Sequence, residues 1–155
     1  MTLIGIAPII AAGIASVVLA WLWYAPFVFG GIWMRAANVT PEMAEKGKKR
    51  MHLNSLVALV GSMLIAWVMG YVGTLLNVYD WFGAIELGFW CWLGFTAAPM
   101  LGLVLWEQRP LRYYFIVAGY WLVAFIVMAL VLVVGTQLMS GGFSQYETGV
   151  VTTSS

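Results

Sequence analysis

The sequence predicts an all-α, polytopic membrane protein whose four transmembrane helices form an antiparallel bundle. Of its 155 residues, 63% are hydrophobic and 8% are charged, whereas about a quarter of the residues in a soluble domain are charged. Four long apolar stretches each exceed the roughly twenty residues needed to cross a bilayer. All seven Lys and Arg residues fall in two short segments, 35–50 and 109–112.

The first span is predicted over residues 3–29, which contain no charged side chain. We expect an uncleaved helix and not a signal peptide, because Trp21, Trp23 and Tyr24 stand where a cleavage site needs small residues. Positive residues follow this span and do not precede it, and cytoplasmic loops retain positive charge. The N-terminus is therefore expected outside. Four crossings place the C-terminus outside as well.

Thr40, Pro41 and Glu42 predict the start of a short cytoplasmic helix before the second span. Thr caps helix N-termini, Pro suits the first helical position and an early Glu complements the helix dipole. The basic residues within 46–50 lie on this helix. We expect them to form an orientation-setting collar beside the lipid headgroups; a specific lipid or protein docking site is the alternative.

The remaining three spans are predicted over residues 53–78, 82–106 and 113–139. Only a few residues, including Asp80, separate the second span from the third, so these two are expected to be antiparallel neighbours. The segment 107–112 turns the chain on the basic side. Residues 1–139 should thus form one four-helix transmembrane domain, followed by a polar C-terminal tail, 140–155, rich in Gly, Ser and Thr.

Two prolines, Pro26 and Pro99, lie inside the first and third spans near their cytoplasmic ends. Each lacks the N–H that would bond the carbonyl four residues earlier, which bends a helix. Two bends at the same depth would either open a cytoplasm-facing cavity or act as passive kinks, and we favour passive kinks. Each proline belongs to a similar pattern, in which Ala-Pro is followed by Gly, Trp and Arg. The pattern ends at Trp33 and Arg35 in the first copy and at Trp106 and Arg109 in the second.

Small residues recur every four positions on two of the spans. These rows are Gly94, Ala98 and Gly102 on the third span, and Ala12, Ser16 and Ala20 on the first. Rows of this kind let helix backbones approach closely inside a membrane. We expect both rows to pack within the chain, with association between chains as the alternative.

Glu86 is the only charged residue inside a predicted span, and intramembrane charges are candidate functional sites. With Asn77 as a hydrogen-bond partner across the short turn, it would form an ion site. A simple interfacial carboxylate is preferred, because Glu86 lies about one turn past the start of its span. Glu107 and Arg109 are expected to form an ion pair, with each other or with Arg35, that holds the first and third helices together.

Several function classes are excluded by composition. One Cys and one His leave no intrachain disulfide, no Cys-only metal site and few metal-ligand geometries. No cofactor is expected, with a pigment or quinone pocket among the deep aromatic residues as the alternative to plain packing. No nucleophile with a base and no phosphate loop is present, which argues against an enzyme. Isolated hydroxyls such as Ser62 and Thr74 are expected to bond to their own helix backbone. A net charge of +1 gives no reason to expect nucleic acid as a partner.

The complete asymmetry of loop charge also excludes small multidrug exporters that insert in both orientations, because those need nearly balanced loops. Four tryptophans lie deep in the predicted spans, where an indole N–H needs a partner that lipid tails do not offer. We expect some of them to contact another helix or another protein. They are Trp67, Trp90, Trp92 and Trp121.

Several segments together resemble a family of small bacterial four-helix membrane proteins catalogued as domain of unknown function seventeen-sixty-one. They are WYAP at 23–26, FG at 29–30, LGF at 93–95, EQRPL at 107–111 and AGYW at 118–121. Ala25, Gly31 and Val117 depart from the Ser, Lys and Asn that members of the family usually carry. The resemblance implies the fold and a bacterial inner membrane, and it implies no activity.

Two functions follow as expectations. The first is a non-enzymatic accessory or scaffold subunit, embedded in the lipid bilayer, that associates with itself or with a larger membrane complex. The alternative is a small oligomeric transporter or channel that uses Glu86 and the bends at Pro26 and Pro99. A transporter would require a water-accessible cavity that reaches Glu86.

Overall fold

The computed structural model describes the backbone of residues 5–151 and the side chains of residues 5–140. It is 87% helix, and the described residues form no strand. Four helices are long and apolar enough to cross a membrane: Ile6–Trp23, Met51–Leu75, Trp81–Leu105 and Leu111–Ser140. The predicted start of the first span, 3–4, and the end of the predicted tail, 152–155, lie outside the described residues.

Seven α-helices and two π-helical turns make up the described backbone. The α-helices are α1 (Ile6–Trp23), α2 (Gly31–Ala36), α3 (Pro41–Lys49), α4 (Met51–Leu75), α5 (Trp81–Trp92), α6 (Ala98–Leu105) and α7 (Leu111–Val151). The π-helical turns are Pro26–Gly30 and Leu93–Ala97. The second of these turns joins α5 to α6, so the two helices form one continuous span.

The predicted first span is interrupted, because α1 ends at Trp23. Ala25 is extended (φ −62°, ψ 145°), and the helix restarts at Pro26 as a π-helical turn closed by a bond of 3.0 Å from Gly30 N to the Ala25 carbonyl. A residue before proline avoids the helical conformation, which explains the break. A Cβ at position 30 would collide with the Tyr24 carbonyl oxygen, so this turn requires glycine.

Pro99 has a different local effect from Pro26. The π-helical turn Leu93–Ala97 lies immediately before it, and the Ala98 N–H reaches back five residues to the Leu93 carbonyl. Such a turn accommodates a proline without ending the helix. The similar sequence patterns at Pro26 and Pro99 therefore produce a break in one helix and a local widening in the other.

Side chains begin two of the helices at the positions that local chemistry favours. Thr40 Oγ1 accepts a hydrogen bond of 3.3 Å from Met43 N, with Pro41 at the first helical position. This confirms the predicted start of the short helix before the second span. Asp80 Oδ2 accepts a bond of 3.1 Å from Gly83 N at the start of α5. Both caps satisfy an N–H that the helix itself leaves without a partner.

Three helices are followed, two or three residues beyond their last residue, by a left-handed residue that is not glycine. Asn38, Asn77 and Gln108 have φ values of 54°, 54° and 53°. At the end of α4, Val78 N donates to the Gly73 carbonyl at 2.9 Å, which is the six-to-one bond of a Schellman motif. Asn77 thus acts through its backbone, as the residue that terminates α4.

Helix α7 packs most extensively, against α1 on one side and α5 on the other, and α1 also packs along α4. The smallest side chains lie at these contacts, since Ala12, Ala66, Ala84 and Ala124 are fully buried. A Cβ on Gly88 would lie 2.9 Å from Ile126 Cα. The α5–α7 contact is therefore close because position 88 has no side chain.

The row of small residues that packs on the third span is different from the predicted one. Ala84, Gly88 and Cys91 are buried, whereas Gly94 and Ala98 are exposed and nothing lies within 4 Å of a Cβ on Gly94. The predicted row on the first span does pack within the chain: Ala12 and Ser16 are buried and Ala20 is partly buried. The third span has two faces of small residues, and the prediction of internal packing was wrong for the Gly94 face.

Candidate functional site

A cluster of three hydroxyl groups joins α1, α4 and α7 in the interior. Ser62 donates to Ser16 Oγ at 3.2 Å, and the Tyr120 hydroxyl donates to the Ser16 carbonyl at 3.2 Å while lying 3.2 Å from Ser16 Oγ. All three residues are buried. Because each hydroxyl group has a partner from another helix, the cluster fixes the relative position of three helices.

This cluster corrects one sequence prediction. Thr74 does bond to its own helix, through the Tyr71 carbonyl at 2.8 Å, as expected. Ser62 instead bonds across to α1. The signal in the sequence was the position of Ser16 within a row of small residues, but nothing local showed that Tyr120 would face it.

A second set of hydrogen bonds attaches neighbouring helices to the first turns of α7. Trp23 Nε1 donates to the Ile116 carbonyl at 3.1 Å, and Trp92 Nε1 donates to the Ala118 carbonyl at 2.8 Å. In the opposite direction, the Tyr114 hydroxyl donates to the carbonyl of Ala97, at the end of the second π-helical turn, at 3.1 Å. Trp92 thereby has the inter-helix partner expected of a deep indole.

The ends of the helices that carry Arg35, Arg109 and Arg112, here called the basic end, border an open groove. It lies between α2 and the start of α7 and has a volume of about 940 Å³. Its lining residues are Phe29, Ile32, Arg35, Ala36, Pro110, Arg112, Phe115 and Ile116. Sequence reasoning had singled out Arg35 but not Arg112, because nothing in the sequence showed that α2 would lie against α7.

The expected ion pair at the basic end is local. Glu107 Oε2 lies 3.9 Å from Arg109 Nε, with side chains 57% and 40% exposed. Arg109 also lies over the Tyr113 ring at 5.7 Å. Arg35 lines the groove instead of joining this pair. An exposed pair of this kind contributes little stability, and this one does not join the first helix to the third.

Trp33 continues the aromatic contacts from the basic end into the interior. Its ring meets that of Tyr24 edge to face at 5.4 Å between centroids, and Tyr24 in turn lies 5.5 Å from Tyr120. Edge-to-face pairs add stability beyond the area they bury. The break at Ala25 is thus covered by rings from both sides of the interrupted helix.

Glu86 lies on the exposed surface of α5. Its carboxylate accepts a hydrogen bond of 3.4 Å from Trp90 Nε1, one turn further along the same helix. Among the described side chains, Asn77 makes no hydrogen bond to Glu86, and Glu86 lines none of the grooves beside Arg35, Pro8 and Met69. No hydrogen bond therefore joins the two residues of the candidate ion site.

Two of the features singled out in the sequence lie on the exposed surface of the described chain. One is the row Gly94, Ala98 and Gly102 of the third span: nothing lies within 4 Å of a Cβ on Gly94, and a Cβ on Gly102 would lie 3.7 Å from Trp106 Cδ1. The other is Trp67, whose side chain is 56% exposed near the middle of α4. Within the described residues, its indole N–H forms no hydrogen bond.

These features define a helical protein with four potential membrane spans. Buried polar groups hold its helices together, and the small residues of one helix face are exposed on its surface. The family described as Protein of unknown function (DUF1761) matches residues 7–133, and the chain belongs to that family. This confirms the resemblance that the sequence motifs indicated. No curated protein and no solved structure matches the chain.

Proposed function

We propose that this chain is a non-enzymatic accessory or scaffold subunit of the bacterial inner membrane, with both termini outside. Its spans would alternate in direction as an antiparallel bundle. The contacts of Ser55 with Trp21 and of Met63 with Gly13 support opposite directions for α1 and α4. The basic end would face the cytoplasm, because positive residues are retained there.

The observation that carries this proposal is the second face of small residues on the third span. Ala84, Gly88 and Cys91 are buried, and Gly88 lies against Ile126 of α7. Gly94 and Ala98 are exposed and Gly102 is partly exposed. Small residues at this spacing on an exposed helix are the kind on which helices associate in lipid. A second transmembrane protein, either another copy or a different subunit, is the partner that such a surface fits.

The test is cross-linking in native membranes. Cys91, the one cysteine, is first replaced by Ala. A new cysteine then replaces Ala98 or, as a control, Val57, which is exposed on α4 and lies at a similar distance from the basic end. Oxidation should join two chains through position 98 and not through position 57. If the partner is a different subunit, a thiol-reactive photo-cross-linker attached to the cysteine at position 98 should instead form an adduct of another mass, identified by mass spectrometry.

A second variant tests whether the small side chains matter. Ala98→Leu should abolish the association without lowering the stability of the monomer, because position 98 is exposed in the single chain. Recovery of a lone monomer from mild detergent, together with equal cross-linking at positions 57 and 98, would overturn the proposal.

The transporter alternative receives no comparable support. It requires Glu86 to face a water-accessible cavity, whereas Glu86 is exposed beside Trp90. Pro26 breaks its helix and Pro99 is absorbed by a π-helical turn, so the two prolines do not form a matched pair of bends.

A further inference from the structure

The groove at the basic end combines two kinds of surface. Phe29, Ile32, Phe115 and Ile116 give it an apolar side, and Arg35 and Arg112 give it a cationic one. Its volume of about 940 Å³ lies within the range of roughly 300–1,000 Å³ that small-molecule sites occupy. A ligand that fills it must therefore carry both an apolar part and an anionic part.

The two arginines are available to an anion. Within the described side chains, neither Arg35 nor Arg112 forms an ion pair, and the carboxylate of Glu107 is taken by Arg109. A guanidinium group matches the geometry of a phosphate and can donate two parallel hydrogen bonds to it. Helix α7 also begins at Leu111, beside the groove, so the positive end of its dipole adds to the same potential.

We propose that this groove binds one anionic phospholipid, with its headgroup phosphate between Arg35 and Arg112 and its first acyl carbons against Phe29, Ile32 and Phe115. The groove lies where α2 meets the start of α7, the helix that carries the fourth potential span. In the orientation proposed above, this position would lie at the level of the headgroups. Basic pockets between transmembrane helices at that level favour anionic lipid. This site is separate from the small-residue face of the third span.

The test uses purified full-length protein in a neutral detergent and native mass spectrometry with phosphatidylglycerol or phosphatidylcholine as the added lipid. The double variant Arg35→Gln/Arg112→Gln removes the cationic side of the groove. Lys48→Gln/Lys49→Gln loses the same charge from α3, outside the groove, and is the matched control. A third variant, Ile32→Trp, fills the apolar side without changing charge, and the side chain of Ile32 is exposed enough to be replaced.

The wild type and the Lys variant should retain one phosphatidylglycerol in preference to phosphatidylcholine. The double Arg variant should bind it about thirtyfold more weakly, because each cation near anionic lipid contributes about 1 kcal/mol and 1.4 kcal/mol is a factor of ten. Ile32→Trp should also lose the lipid, and unchanged thermal melting of this variant would show that the fold is intact.

Three results would overturn the proposal. The first is equal binding of phosphatidylglycerol and phosphatidylcholine, which would mean that the anionic headgroup is not recognised. The second is equal loss of binding in the Arg and Lys variants, which would mean that total charge acts and not the groove. The third is displacement of the lipid by millimolar inorganic phosphate, which would identify a free-anion site, since a headgroup with its chains should not be displaced by phosphate alone.

Discussion

Gly88→Ala tests the idea that the close contact of α5 with α7 determines the stability of this protein. The added Cβ would lie 2.9 Å from Ile126 Cα, 3.0 Å from Ile126 N and 3.1 Å from the Phe125 carbonyl carbon. Ordinary contacts of a Cβ begin near 3.4 Å, and all three neighbours are backbone atoms that no rotamer change can move. The two helices must therefore separate by roughly half an ångström, and we expect a loss of about 1–3 kcal/mol in the free energy of unfolding, the usual range for overpacking.

The measurement is reversible unfolding in mixed micelles, followed by the helical circular dichroism signal. Gly61→Ala is the matched control, because Gly61 also lies within a potential membrane span and nothing is found within 4 Å of its added Cβ. The control should be neutral or slightly stabilising, as alanine favours helix over glycine. Equal stability of the two variants would refute the conclusion that position 88 sets the distance between the helices.

Substitutions at three further positions probe other parts of the fold by the same unfolding measurement. Ser16→Ala removes two hydrogen bonds of the buried hydroxyl cluster and should lower the free energy of unfolding by about 1–2 kcal/mol, since such bonds in membrane proteins average about 0.6 kcal/mol and reach about 1.7. Thr74→Ala, which removes a bond within one helix, is the control, and equal stability of the two variants would contradict this prediction. Gly30→Ala places a Cβ against the Tyr24 carbonyl and should cost at least about 2 kcal/mol, and a neutral result would mean that the π-helical turn can rearrange freely. Asn77→Gly should be nearly neutral, whereas Asn77→Val should lower the free energy of unfolding by about 1–2 kcal/mol, because a β-branched residue disfavours the left-handed conformation. Equal losses in the two variants would show that Asn77 acts through its side chain.

The features that could be predicted from the sequence are those controlled by neighbouring residues or by composition. Charge distribution and apolar length were sufficient to find four potential spans, and Thr40, Pro41 and Glu42 were sufficient to find the start of α3. Caps depend on a few adjacent residues, so their chemistry is visible in the sequence. The family was also identified correctly from short motifs spread along the chain.

The features that could not be predicted depend on which face of a helix meets which neighbour. In a soluble protein an apolar stripe marks the buried face, but in a potential membrane span both lipid and core would select apolar residues, so the pattern is nearly uniform around each helix. The rows beginning at Ala84 and at Gly94 are therefore equally good contacts by sequence, and only the first is used within the chain. The pairing of Ser16 with Tyr120, 104 residues apart, is hidden for the same reason.

The hydrogen bonds of α7 and the exposure of the third span together explain why the Gly94 face is the strongest candidate for an external partner. Near the basic end, α7 is already engaged on both sides, by Trp23 from α1 and by Trp92 from α5. These indoles bond to the carbonyls of Ile116 and Ala118, so this part of α7 already has polar partners within the chain. Gly94 and Ala98, by contrast, are exposed, and nothing lies within 4 Å of a Cβ on Gly94. If a partner binds, it should approach the third span, and variants of the groove between α2 and α7 should not change its binding.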